Sequence, residues 1–168
     1  MSDPVLLLIS GSLRQEATNR KLAHEAARLF GPAKVIEGNL NLPLYDGDLE
    51  EAEGIPAAVQ ALAVQVAEAD AVVISTPEYN RAPSGVLKNG KPVAVMSAAA
   101  GRSGGENAQM ILRSFLVPFQ PHVLPGPAVH LAESYNAFDA EGHLSGEEYR
   151  KILTDLMTQL RAATLQRT

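Results

Sequence analysis

Three uninterrupted apolar runs constrain this chain most: Val5-Leu6-Leu7-Leu8-Ile9, Ala71-Val72-Val73-Ile74-Ser75, and Pro92 to Ser97. None alternates polar with apolar residues, so each reads as a strand buried on both faces. Helical patterns stand between them. Ala17 to Phe30 carries Leu22, Ala26, Leu29 and Phe30 at helical spacing, and Gly31-Pro32 stops it. Ile55 to Ala69 has Pro56 in its first turn and Val59, Leu62, Ala63 and Val66 on one face. Asn107 to Val117 predicts a helix with Met110, Ile111, Leu112 and Phe115 packed inward. Gly146 to Leu165, with Tyr149, Ile152, Leu153, Leu156 and Leu160, predicts a terminal amphipathic helix. Val35-Ile36, and Val123 with Ala128 to Leu131, supply the outer strands. Leu40 to Leu49 reads as a loop, with Pro43 and Asp46-Gly47 as turn signals. This alternation predicts an α/β domain whose parallel sheet is covered on both faces, with right-handed crossovers.

A single domain over residues 1–168 accommodates all these elements. The net charge of −5 and the lack of a basic stripe argue against a nucleic-acid binder. With no cysteine there is no disulfide framework, thiolate metal site or thiol nucleophile, which fits a cytoplasmic protein. The first apolar run is far too short to span a membrane, so no membrane insertion is expected. His24, His122, His130 and His143 are scattered without metal-ligand spacing, and no metal site is expected. Asp46, Asp48, Glu50, Glu51 and Glu53 read as a solvated acidic loop.

Two loops carry the chemistry. Ser10 to Asn19 joins the first strand to a helix N-terminus, where free N–H groups and the positive dipole end suit an anion. Ser12, Thr18 and Asn19 add neutral donors, and Arg14 adds a planar fork that matches phosphate oxygens. The alternative is a capped turn in which Thr18 or Asn19 caps the helix and Arg14 lies in solvent. The loop is neither Gly-x-Gly-x-x-Gly nor a Walker lysine loop, and Ser12 lacks the Gly-x-Ser-x-Gly elbow of a hydrolase. The second loop, Thr76-Pro77-Glu78-Tyr79-Asn80, follows the second long apolar run. Its main-chain groups suit the edge of a heterocycle, with Tyr79 as a flat neighbour. Glu78 is a less favoured candidate acid or base, and an ordinary turn is the alternative for the whole loop. In such sheets ligands bind beyond the carboxyl ends of the strands.

With Gly11-Ser12-Leu13-Arg14 and Asn19, Leu42-Pro43-Leu44-Tyr45-Asp46, Thr76 to Asn80, Gly85-Val86-Leu87-Lys88-Asn89 and Gly90 to Val95, the chain resembles the NAD(P)H-dependent FMN reductase family of quinone, chromate and azo reductases. The likeness runs from Val5 to about Val117. It implies a flavodoxin-like three-layer sandwich with a five-stranded parallel sheet of order 2-1-3-4-5 holding FMN. By position, Ser12, Leu13, Arg14, Thr18 and Asn19 are expected around the FMN phosphate. Pro77, Glu78, Tyr79 and Asn80 are expected along the ring, with Ser97 and the Gly101 to Gly105 loop approaching from the fourth strand. The flavin N5 carries the hydride, so no catalytic side chain is required. NADPH or NADH is the implied co-substrate, a quinone or related small molecule the acceptor, and a homodimer or homotetramer the assembly. Arg102 either meets a phosphate of NADPH or lies in solvent.

The chain departs from the family at three places. Ala17 stands where serine is common, and Ala82-Pro83-Ser84 replaces the usual turn. Asn89 meets Gly90-Lys91-Pro92 directly. The resemblance therefore implies that on the order of a dozen residues or more are absent between 89 and 90, leaving Gly85 to Asn89 barely more than one helical turn. Either the protein has a deletion, or the sequence omits an interval, which the well-matched flanks favour. Two other functions stay open: a flavin-binding electron carrier or sensor without NAD(P)H turnover, and a cofactor-free interaction module. Arg14 favours the reductase over the carrier.

Overall fold

A computed structural model describes the protein over residues 3–78 and 91–166. Strands β1 (Val5–Ser10), β2 (Lys34–Gly38), β3 (Ala71–Thr76) and β4 (Pro92–Ala98) run parallel, in the order β2-β1-β3-β4. The fifth position holds two short strands, β5 (His122–Val123) and β6 (Val129–Leu131), both parallel to β4. This is the flavodoxin-like order 2-1-3-4-5, with its last strand broken. Pro125 and Pro127 lie in the break, and neither has an N–H to donate to a ladder.

β3 and β4 are buried throughout, as strands covered on both faces must be. On one face, α1 (Thr18–Phe30) and α5 (Glu147–Leu165) pack Leu22, Ala26, Phe30, Leu153, Leu156, Met157 and Leu160 against Leu6, Leu8, Val73 and Met96. Each such large side chain, fully buried, stabilises the fold by about 1.5–3 kcal/mol. On the other face, Leu112 and Leu116 of α4 (Glu106–Leu116) cover Leu7, Ile9, Val72, Ile74, Val93 and Val95.

Three sequence expectations change. The expected Leu40 to Leu49 loop ends at Asp46, where a short helix, α2 (Gly47–Glu53), begins because the Asp46 carboxylate accepts from the N–H groups of Asp48 (3.0 Å) and Leu49 (3.3 Å). On α3 (Ala57–Glu68) only Leu62 of the expected face is buried, and Ala63 is exposed. On α4, Met110 and Phe115 are 63% and 53% exposed, while Ala108, Gln109, Leu112 and Leu116 face inward. The helix is turned so that Gln109 reaches the sheet. The expected helical fragment at Gly85 to Asn89 lies outside the described residues.

Candidate active site

The parallel register brings the ends of β1, β3, β4 and β6 to one edge: Ser10 pairs with Ser75, Thr76 with Ser97, and Ala98 with Leu131. The Ser10 to Asn19 loop and Pro77-Glu78 therefore open on the same side. Gly11 N–H donates to Ser75 carbonyl at 2.9 Å and extends the β1–β3 ladder by one residue. The chain then turns sharply, with Ser12 N–H donating to Ser10 Oγ (3.3 Å) and Ala17 N–H to Arg14 carbonyl (3.2 Å).

Past that point the backbone is left open to a ligand. Among the described residues, the N–H groups of Leu13, Arg14, Gln15 and Glu16, and those of Thr18 and Asn19 in the first turn of α1, find no protein acceptor. No side chain caps α1, and its first turn holds no acidic residue. Glu16 is drawn aside by Lys21 Nζ at 3.2 Å. Arg14 is exposed and makes no ion pair among the described residues. Orphan donors, a helix N-terminus and a free guanidinium together fit a phosphate group. Of the capped-turn alternative, the cap is not found, since neither Thr18 nor Asn19 caps the helix, while Arg14 does lie in solvent.

The side chains of Thr18 and Asn19 are occupied elsewhere. Asn19, 3% exposed, donates from Nδ2 to Ala98 carbonyl (2.9 Å), while its Oδ1 accepts from Ser75 Oγ (2.8 Å) and Ala98 N–H (3.1 Å). It is a clamp from α1 across the ends of β3 and β4. Thr18 Oγ1 accepts from Ser134 Oγ at 3.1 Å, tying α1 to the turn after β6. Of these two residues, only the main-chain N–H groups remain open to a ligand.

Pro77 is buried, and Glu78 is half-buried. Tyr79 and Asn80 lie outside the described residues. Glu78 Oε2 accepts from Ala108 N–H at 3.1 Å, in the first turn of α4, whose own N-cap residue Gly105 has no side chain to offer. The carboxylate caps a helix, which argues against its use as an acid or base. Glu78→Ala is expected to lower stability by about 1 kcal/mol, read from the denaturant midpoint, with Glu78→Gln keeping most of it. Loss of turnover in Glu78→Gln at unchanged stability would instead mark it as catalytic.

Ser97 is fully buried. Its Oγ donates to Gly104 carbonyl (2.7 Å) and accepts from Gln109 Nε2 (3.2 Å), which also donates to Val129 carbonyl (2.6 Å). Ser97 thus braces the following loop and presents no hydroxyl to a ligand. Gly104 and Gly105 serve the same packing. A Cβ on Gly104 (φ +59) would stand 2.3 Å from His130 carbonyl oxygen, and one on Gly105 (φ +88) 2.8 Å from Ser97 Cβ. Their missing side chains make room for protein, not for a ring system. Arg102 stays exposed on the same loop. Residue type alone marks neither Gln109 nor Ser134 as part of the site. A glutamine three and seven residues before Leu112 and Leu116 was the available signal for the first, and Ser134 had none.

His130 approaches this brace, with Nδ1 3.4 Å from Ser97 Oγ. Burial lowers its pKa below the ordinary 6.5; Glu106 opposes the shift and Arg113 adds to it. The unfolded chain therefore takes up this proton at higher pH than the folded one. The associated stability is present above the unfolded pKa and is lost as pH falls through the depressed folded value. Between about pH 7.5 and about pH 5, wild type is expected to lose more stability than His130→Asn. Equal losses in urea titrations at both pH values would refute this.

A concavity of about 920 Å³ shares no residue with the Ser10 to Asn19 loop. It is an apolar groove beside α2 and α3, with Leu44 and Tyr45 95% and 84% exposed at its margin.

Comparison with known proteins decides the family. The model for NADPH-dependent FMN reductase matches residues 4–136. The chain belongs to the NADPH-dependent FMN reductase family. It is 38% identical over 177 aligned positions to an NAD(P)H-dependent FMN reductase of Pseudomonas aeruginosa, covering 95% of each chain. It is 36% identical over 140 positions to a quinone reductase of Escherichia coli K12, covering 73% of this chain and 74% of that one. Among solved structures, FerB, a flavoenzyme NAD(P)H:(acceptor) oxidoreductase from Paracoccus denitrificans, superposes with a TM-score of 0.86 at 26% identity, over 97% and 98% of the two chains. The alignment with the Pseudomonas FMN reductase, at 177 positions, is longer than the 168-residue chain, so that relative has residues without a counterpart here. As a family member, this FMN reductase homologue is an oxidoreductase with FMN as cofactor and NAD(P)H as reductant.

Proposed function

We propose that this protein is an FMN-dependent NAD(P)H oxidoreductase that reduces quinones or related small acceptors. The observation that carries the reading is the cradle of unpartnered N–H groups of Leu13 to Glu16, Thr18 and Asn19 beside Arg14, on the sheet edge where Pro77 and Glu78 also open. The loop amides and the guanidinium hold the phosphate. Pro77, with no N–H and a fixed φ, gives the ring a rigid border. Glu78 and Asn19 fix α4 and α1 relative to that border, so the site is preorganised by side chains that need not touch the ligand. The flavin, when bound, supplies hydride acceptance and donation at N5.

The test is direct. The purified protein should take up FMN, and its visible absorbance should bleach when NADH or NADPH is added anaerobically. No uptake would leave a cofactor-free module. Uptake without bleaching by either nucleotide would leave an electron carrier or sensor.

The protein works as a homodimer or homotetramer, supported by the exposed apolar groove at Leu44, Tyr45, Leu49 and Ile55 and checked by light scattering. It works in the cytoplasm, supported by a sequence without cysteine. Among the described residues no helix is long and apolar enough to cross a membrane. The reading places the residues missing relative to longer relatives between Asn89 and Gly90. The intact mass, set against that of the 168 residues, separates a deletion from an omitted interval.

A further inference from the structure

A second cleft adjoins the phosphate loop. It lies between α1 and the end of β2, holds about 320 Å³, and takes Ser12 and Leu13 of the loop as part of its wall. That volume is at the lower end for small-ligand pockets, about 300–1,000 Å³. Its lining includes Glu37, which pairs with Leu8 across the β1–β2 ladder. One Glu37 oxygen accepts from Arg20 Nη2 at 2.6 Å, and the other lies 3.0 Å from His24 Nε2. The three side chains are 41%, 43% and 49% exposed for Arg20, Glu37 and His24, so a ligand can reach them.

As a stabilising device the cluster is weak, since exposed ion pairs contribute about 0–1 kcal/mol. As a recognition device it is well equipped. A carboxylate has about four lone-pair sites, and each oxygen here has one protein partner, leaving acceptors for two further O–H groups. Asn39 Oδ1 accepts from Asn41 N–H at 2.9 Å, which leaves the Asn39 amide to donate. Leu13, 65% exposed, and Leu40 border the cleft and offer apolar surface to a flat base. A carboxylate for vicinal hydroxyls, an amide donor and an apolar border match a nucleoside.

We propose that this cleft holds the adenosine ribose of the nicotinamide nucleotide, and that Glu37 makes the enzyme prefer NADH to NADPH. The proposal rests on the reductase reading. The 2′- and 3′-hydroxyls of NADH donate to Glu37. In NADPH the 2′-phosphate places a dianion against the same carboxylate, and like charges brought together at a recognition site select against the wrong ligand. Glu37→Gln keeps the shape, removes the charge and releases Arg20 and His24 toward the phosphate.

The ratio of kcat/KM for NADH to that for NADPH is expected to exceed one in wild type and to fall at least about tenfold in Glu37→Gln, with FMN affinity unchanged. By calorimetry on the FMN-loaded protein, 5′-AMP is expected to bind wild type more tightly than 2′,5′-ADP. Glu37→Gln should narrow or reverse that order. If both nucleotides bleach the flavin but the kinetic ratio stays within about twofold of wild type, the proposal is overturned and the reductase reading survives. If AMP and 2′,5′-ADP bind wild type equally, the proposal is likewise overturned. If neither NADH nor NADPH bleaches the flavin, both readings fall together.

Discussion

Replacing Asn19 with alanine is expected to cost about 3 kcal/mol, a fall in Tm of about 6–12 °C for a chain of this length. The substitution removes three buried hydrogen bonds at once and leaves Ser75 Oγ and both main-chain groups of Ala98 without their side-chain partner. Each unsatisfied buried polar group costs about 1–3 kcal/mol, reduced where water enters the space. Asn19→Asp separates the contributions. It keeps both acceptor contacts but turns a carboxylate oxygen toward the Ala98 carbonyl. It should therefore be as damaging as alanine at neutral pH and recover partly in acid, when a proton restores the missing donor. FMN affinity should fall in both variants only to the extent that the first turn of α1 shifts. The opposite pattern, an unchanged melting temperature with a large loss of FMN affinity, would show that Asn19 is a phosphate ligand after all.

Asn19 also shows what a single sequence can and cannot disclose. Its place in a loop after an apolar strand marks it as important, but residue type does not say which way an amide points. Ser75 and Ala98 lie 56 and 79 residues away, and only the folded register brings them to it. The same limit explains Ser97, whose position at the end of β4 suggests a ligand contact while its hydroxyl turns back to Gly104 and Gln109. The sheet itself was legible, because strands buried on both faces are written as continuous apolar runs. The turn from β1 into α1 was legible too, because it depends on Gly11, a sharp bend and a helix start that are written locally. Less legible were features decided by packing between elements. The inward face of α4 depends on Gln109 finding Val129 carbonyl, and Met110 and Phe115, apolar by type, were left outside. Asp46 signals a turn and a helix cap equally well, so α2 was hidden within an expected loop.

Arg14→Glu should lower FMN affinity on the order of 100-fold while leaving the apoprotein's melting temperature unchanged. Arg14 makes no ion pair among the described residues, so its loss removes nothing that holds the fold. Its value lies in charge-assisted hydrogen bonds to a ligand, each contributing about 1.5–3 kcal/mol, and the reversed charge adds repulsion against a phosphate. The unpartnered amides of Leu13 to Glu16, Thr18 and Asn19 remain in the variant, so binding should be weakened, not abolished. Riboflavin provides the control, because it has the ring and no phosphate. Its affinity should be the same for wild type and variant. Raising the salt concentration should weaken FMN binding to wild type more than riboflavin binding, since the phosphate contact lies at an exposed site. Equal losses for FMN and riboflavin would mean that the substitution disturbs the loop as a whole. An unchanged FMN dissociation constant would remove Arg14 from the phosphate site and leave the main-chain amides to hold the phosphate.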